Sequence, residues 1–124
     1  MVEERGETFP KDIRLTKRRE YLDVMRHGRK FVTHRLVFFC EDSENGPARL
    51  GVTVSRRVGN AVVRNRVKRQ IREMFRRRRW ELLPGVRIVV VARRSAAAGN
   101  NVSLEQDFGR LERWLERRKG RAGL

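Results

Sequence analysis

Guanidinium groups are the chemistry this chain offers most of, and they concentrate in Gly59 to Arg79, GNAVVRNRVKRQIREMFRRRR. Such groups donate hydrogen bonds and positive charge; they hold phosphate rather than shuttle protons. At about 100° per residue, Val63, Val67, Ile71, Met74 and Phe75 fall within an arc of roughly 120°. Asn65, Arg69, Arg72 and Arg76 gather opposite, with Arg64 and Lys68 at one margin and Arg66 and Arg77 at the other. Glu73 is the only acid of the segment and stands one turn from both Arg69 and Arg77. Arg64/Lys68, Lys68/Arg72 and Arg72/Arg76 are like-charged pairs that repel. A solvated helix mixes its signs, as 104–118 does, where Arg110, Arg113, Arg117 and Arg118 alternate with Glu105, Glu112 and Glu116. The uncompensated segment predicts a phosphate-binding helix.

Other chemistry has little to work with. The histidines are His27 and His34, and Asp12, Asp23, Asp42 and Asp107 are scattered along the chain. No HExxH, paired-cysteine or DxD pattern offers metal ligands, and Gly51 and Gly59 lack a phosphate-loop context. Cys40 is alone, so no internal disulfide forms, and its apolar neighbours predict a buried thiol. His27 reads as a helix-end cation and His34 as a strand or bend residue. Independent catalysis by side chains is not expected.

The elements that position the basic helix follow from the pattern. Residues 1–12 read as a loose tail. A first helix, about 17–27, starts at a Thr16 cap and stops at Gly28, with Tyr21, Val24 and Met25 inward. Tyr21 fits either a core position or a platform for an unpaired base; Met25 fits the core better. Strands are predicted at 31–33, 36–41, 49–55 and 87–92, with turns at Glu44–Pro47 and Pro84–Gly85. Asn60 caps the basic helix, 61–79. Ser103 with Gln106 forms a capping box for a last helix, 104–118, whose stripe is Leu104, Phe108, Leu111 and Leu115. Residues 119–124 should fray. The order α-β-β-β-α-β-α makes residues 13–118 a single α+β domain, one mixed sheet with helices. Strand 49–55, helix 61–79 and strand 87–92 form a βαβ unit if the strands are parallel.

Composition sets the partner class. The chain has 124 residues, 31 Lys and Arg against 15 Asp and Glu, and a net charge of +16. Charge of that density favours nucleic acid. The apolar runs Leu36–Cys40 and Ile88–Ala92 are too short to span a bilayer, so a membrane is not expected as partner. The polar start carries no apolar signal core, which predicts a cytoplasmic protein. Arg outnumbers Lys, 26 to 5. That suits RNA contact, and codon bias or growth at high temperature gives the same excess.

The stretch GNAVVRNRVKRQIREMFR, with Arg64-Asn65-Arg66 at its centre, resembles the signature of the bacterial ribonuclease P protein component. Arg14-Leu15 with Glu20-Tyr21, Arg49–Arg57 and Ile88–Arg94 extend the resemblance over most of the chain. It implies a fold similar to domain 2 of ribosomal protein S5. It implies one protein bound to one ribonuclease P RNA, the two together cleaving precursor tRNA at its mature 5′ end, with RNA and Mg2+ carrying the chemistry. By carry-over, Arg64, Asn65, Arg66, Lys68, Arg69 and Arg72 face the catalytic RNA. Tyr21 and Met25 match aromatic positions of a cleft for the single-stranded 5′ leader, rimmed by Arg56, Arg57 and Arg93. Met25 departs from the family's frequent phenylalanine and lacks its stacking face. A ribosomal or assembly protein that binds RNA is the second reading. A DNA-binding protein is the third, but no helix-turn-helix pairing is apparent.

Overall fold

The structure is a computed structural model that describes residues 13–42, 47–78 and 85–122. Its elements run α1 (Arg18–His27), β1 (Arg29–Val32), β2 (Leu36–Asp42), β3 (Arg49–Thr53), α2 (Ala61–Arg78), β4 (Val86–Ala92) and α3 (Asn101–Ala122), with a short 3-10 helix, Arg94–Ala98, before α3. The order is the expected one. The tail 1–12, most of the 44–47 turn, and Pro84 lie outside the described residues.

The sheet is mixed, in the order β1-β2-β4-β3. β1 with β2 and β2 with β4 are antiparallel, and β3 with β4 is parallel. Parallel neighbours need a long crossover, and α2 supplies it, so the βαβ unit is present. β4 is apolar almost throughout because it is central and covered on both faces. Leu36, Phe38 and Cys40 of β2, Leu50 and Val52 of β3, and Val86, Ile88, Val90 and Ala92 of β4 belong to the main core. Against them pack Val67, Ile71, Met74 and Phe75 of α2 and Leu104, Phe108, Leu111 and Leu115 of α3. Phe38 and Phe108 meet edge to face with centroids 5.3 Å apart. A smaller cluster, Leu15, Val24 and Val89 with Tyr21, Phe39 and Val91, seats α1 on the alternate side chains of β2 and β4. The sheet thus separates α1 from α2 and α3. Burial pushes the Cys40 thiol up to about 12, helped by Asp42, so it is an unreactive core residue.

Local chemistry moved several ends. The Thr16 hydroxyl does not cap α1; the Glu20 carboxylate reaches back to accept the N–H of Thr16 at 3.3 Å and of Lys17 at 3.4 Å. β1 starts at Arg29, two residues early, because it pairs with β2 as far as Cys40. It ends before Thr33, whose Oγ1 accepts the Leu36 N–H and makes the turn. β3 stops at Thr53 rather than Ser55. α3 starts at Asn101, because Asn100 and Ser103 cap each other: Asn100 Oδ1 accepts the Ser103 N–H and Ser103 Oγ accepts the Asn100 N–H, both at 2.9 Å. It continues to Ala122. No described helix is long and apolar enough to cross a membrane.

Candidate RNA interface

α2 begins as its sequence requires, with Asn60 Oδ1 accepting the Val63 N–H at 3.0 Å. Its apolar stripe buries Val67, Ile71, Met74 and Phe75, and Val63 packs at the core's margin. The core therefore fixes the helix rotation, and that rotation presents the cations.

The cations divide into two groups. At the C-terminal end, Glu73 binds Arg76 at 2.5 Å and Arg77 at 3.7 Å, and Arg78 binds Glu112 of α3 at 2.6 Å. Glu73 does not pair with Arg69, one of its two expected partners. It turns toward the C-terminus, the better orientation for an acid and base one turn apart. The Arg76 guanidinium holds the Glu73 carboxyl below its ordinary value, burial opposing. In the N-terminal group, Arg64, Arg66, Lys68, Arg69 and Arg72 have no carboxylate within 4.0 Å among the described residues. The first turn of α2 has no acid either, so the positive end of its dipole adds to these cations.

Individual placements differ. Asn65 and Arg69 are exposed. Arg64 is half-buried and donates through Nε to the Gly59 carbonyl at 3.2 Å. Arg66 donates to the Ala97 carbonyl of the 3-10 helix. Lys68 and Arg72 are half-buried, and Arg72 points the other way from Arg66, into a depression that it shares with Tyr21.

Tyr21 is held by β3, the edge strand. Its hydroxyl accepts the Val52 N–H at 3.2 Å, and its ring covers Gly51 so closely that a Cβ there would stand 2.7 Å from Cζ. Arg49 donates to both carboxylate oxygens of Glu20, at 3.0 and 3.3 Å, and ties α1 to the same strand. Met25, expected inward, is 38% exposed and not a core residue, while Val24, expected inward with it, is buried. Arg56 and Arg57 are exposed in the turn between β3 and α2. Arg93 is exposed but tethered, its guanidinium donating to the Thr33 carbonyl at 2.9 Å.

Two residues of this face were missed. Phe39 is half-buried in the same cluster as Tyr21, and the Lys30 ammonium stands 5.9 Å from its ring centroid. Strand alternation in LVFFCE carries the signal: Leu36, Phe38 and Cys40 face one way, so Phe39 faces the other. His27 and His34 belong to no site; His27 Nδ1 lies 3.2 Å from the Asp23 carbonyl, and His34 is an exposed bend residue.

Helix cations without a carboxylate partner suit RNA phosphates, and an aromatic side chain beside them suits an unpaired base. Known proteins share the sequence pattern and the fold. The ribonuclease P family model matches residues 9–116. The chain belongs to the ribonuclease P protein family. The ribonuclease P protein component of Desulforapulum autotrophicum is 39% identical over 91% of this chain and 97% of its own. That of Syntrophus aciditrophicus is 34% identical over 84% and 87%. Among solved structures, the Staphylococcus aureus ribonuclease P protein aligns with a TM-score of 0.74 at 29% identity, over 81% of this chain and 92% of that one. The Thermotoga maritima protein gives 0.73 at 29%, over 84% and 96%. The fold is therefore the ribonuclease P protein fold, and the motif around Arg64-Asn65-Arg66 lies inside the matched region.

Proposed function

We propose that this protein is the protein subunit of a bacterial ribonuclease P, one copy per catalytic RNA, acting in 5′ maturation of tRNA. Arg64, Asn65, Arg66, Lys68 and Arg69 of α2 bind the ribonuclease P RNA. Tyr21, Met25 and Phe39, with Arg56, Arg57 and Arg93 as cations, bind the single-stranded 5′ leader of precursor tRNA. The supporting observation is the set of α2 cations without carboxylate partners, on the helix that bears the family motif. A catalytic RNA and an RNA substrate repel each other, and cations fixed on a folded surface offset that repulsion and lower the Mg2+ needed.

Cleavage itself is assigned to the RNA and its Mg2+. Mg2+ is a hard ion that takes oxygen ligands in an octahedral set. α2 presents guanidinium and ammonium groups, and among the described residues no three His, Cys, Asp or Glu side chains converge on a common point. The described side chains do not fit a protein-held Mg2+.

The test is precursor-tRNA cleavage at low Mg2+ with a bacterial ribonuclease P RNA, with and without this protein. Cleavage at the mature 5′ end that needs both components supports the proposal. Tight RNA binding without stimulation favours a general RNA-binding module, and cleavage by the repurified protein alone overturns the assignment of chemistry to RNA. For the leader contact, Tyr21→Ala should weaken precursor binding by about 1–3 kcal/mol, the worth of one base–aromatic stack. Mature tRNA binding should stay nearly constant; equal losses for both ligands would remove the leader contact.

A further inference from the structure

A depression of about 240 Å³ lies where α1, the edge of β3 and α2 meet. Arg14 and Arg72 line it, with Thr16 and Tyr21 as hydroxyl residues and Leu15, Leu50 and Val52 as apolar ones. No carboxylate lines it, and neither guanidinium has one within 4.0 Å among the described residues. Nearby Glu20 is engaged by Arg49 and by the backbone of Thr16 and Lys17. Arg14 Nε is buried without a hydrogen-bond partner. The Tyr21 hydroxyl accepts from Val52, so its own proton remains to be donated. Arg72 is half-buried here, although Asn65 and Arg69 on its stripe of α2 are exposed. Two cations, two hydroxyls and an apolar floor suit a phosphodiester with its ribose.

We propose that this depression seats one backbone phosphate of the RNA strand that stacks on Tyr21, with Arg72 and Arg14 as its partners. Arg72 then serves the substrate leader rather than the catalytic RNA. The assignment rests on the leader reading above and names the group that site takes beyond a stacked base. It also makes the border between the two RNA surfaces run along α2, between Arg69 and Arg72.

The experiment uses the reconstituted holoenzyme. Affinities for precursor and mature tRNA, and of the protein for ribonuclease P RNA, are measured over a range of salt. Arg72→Gln should weaken precursor binding about tenfold, as loss of a charge-assisted hydrogen bond does. The log–log salt slope for the precursor should fall by about 0.7, the value for one phosphate of a single strand. Mature tRNA affinity and assembly with the catalytic RNA should not change. Arg72→Lys should keep the slope and recover part of the affinity. Precursors with a neutral methylphosphonate at single leader linkages locate the phosphate. At one linkage the loss should equal that of Arg72→Gln, and the two losses should not add. If Arg72→Gln weakens assembly and leaves the wild-type preference for precursor intact, the phosphate seat is overturned and the leader reading stands. If the wild-type protein shows no such preference, both are overturned.

Discussion

Gly51 decides where Tyr21 stands. Any side chain at this position of β3 would push into the ring, since even a Cβ would lie 2.7 Å from Cζ. Gly51→Ala should therefore cost about 1–3 kcal/mol of stability, as overpacking does, and move Tyr21 off the Val52 N–H. Thermal unfolding reads the first effect, and the precursor-to-mature affinity ratio reads the second; an unchanged ratio would detach Tyr21 from the leader. Asp107 is the other residue with a sharp expectation. It is 3% exposed, its Oδ2 has no hydrogen-bond partner, and Arg35 stands 3.9 Å away. Burial raises its carboxyl above the ordinary 3.8, against the pull of Arg35, Arg110, Thr33 and His34. A raised folded-state value means that the folded protein binds more protons between the two values. The group's contribution is thus fullest below about pH 3.8 and is lost as pH rises through the folded-state value. Asp107→Asn should be more stable than the parent at neutral pH, with Arg35 left to solvent. An Asn variant that melts lower at pH 7 would show that the ion pair outweighs the burial.

At the scale of elements, the Glu20–Arg49 pair is what places α1 on the edge strand. Burial raises the Glu20 carboxyl, but the hydrogen bond from Arg49, those from the backbone of Lys17 and Thr16, and the charge of Arg49 together bring it below its ordinary 4.5. The sign is opposite to that of Asp107: the stabilisation is present above about pH 4.5 and is lost as pH falls through the folded-state value. Glu20→Gln should speed amide exchange in α1 at neutral pH and leave α2 unchanged, and equal protection of α1 in both proteins would refute the tether. The same element shows where a sequence stops being legible. The α2 stripe and its Asn60 cap were readable because five apolar residues share one face and the cap is three residues from its donor. α1 has ten residues, and period alone put both Val24 and Met25 inward, whereas the sheet beneath buries Val24 and leaves Met25 exposed. The caps of α1 and α3 depend on which of several polar side chains turns toward the backbone, a choice the pattern leaves open. Phe39 was legible from alternation, but its role needed the knowledge that both faces of the sheet are used. The company Arg72 keeps was not legible at all, because Tyr21 lies far away in sequence and the sheet brings the two together.

On the scale of the whole molecule, a net charge of +16 is not spread evenly. The acids of α3 and Glu73 neutralise one end of α2, and the other end keeps its field. Two kinds of arginine follow, and salt separates them. Arg69 is exposed without a carboxylate near it, so Arg69→Gln should lower the log–log salt slope of assembly with ribonuclease P RNA by about 0.7–0.9, one phosphate's worth. Arg77 is already bound to Glu73. Arg77→Gln releases no counterion from the RNA if Glu73 keeps Arg77 from phosphate, so its slope should match the parent's. Both substitutions change the total charge by the same amount, so a general attraction to polyanions predicts equal slopes for the two. Isothermal titration or filter binding at four or five salt concentrations distinguishes the cases. A slope lowered only by Arg69→Gln places the contact on the N-terminal half of α2. Equal slopes would mean that the protein binds RNA through its net charge, and the family motif would then owe its role to something other than phosphate contact.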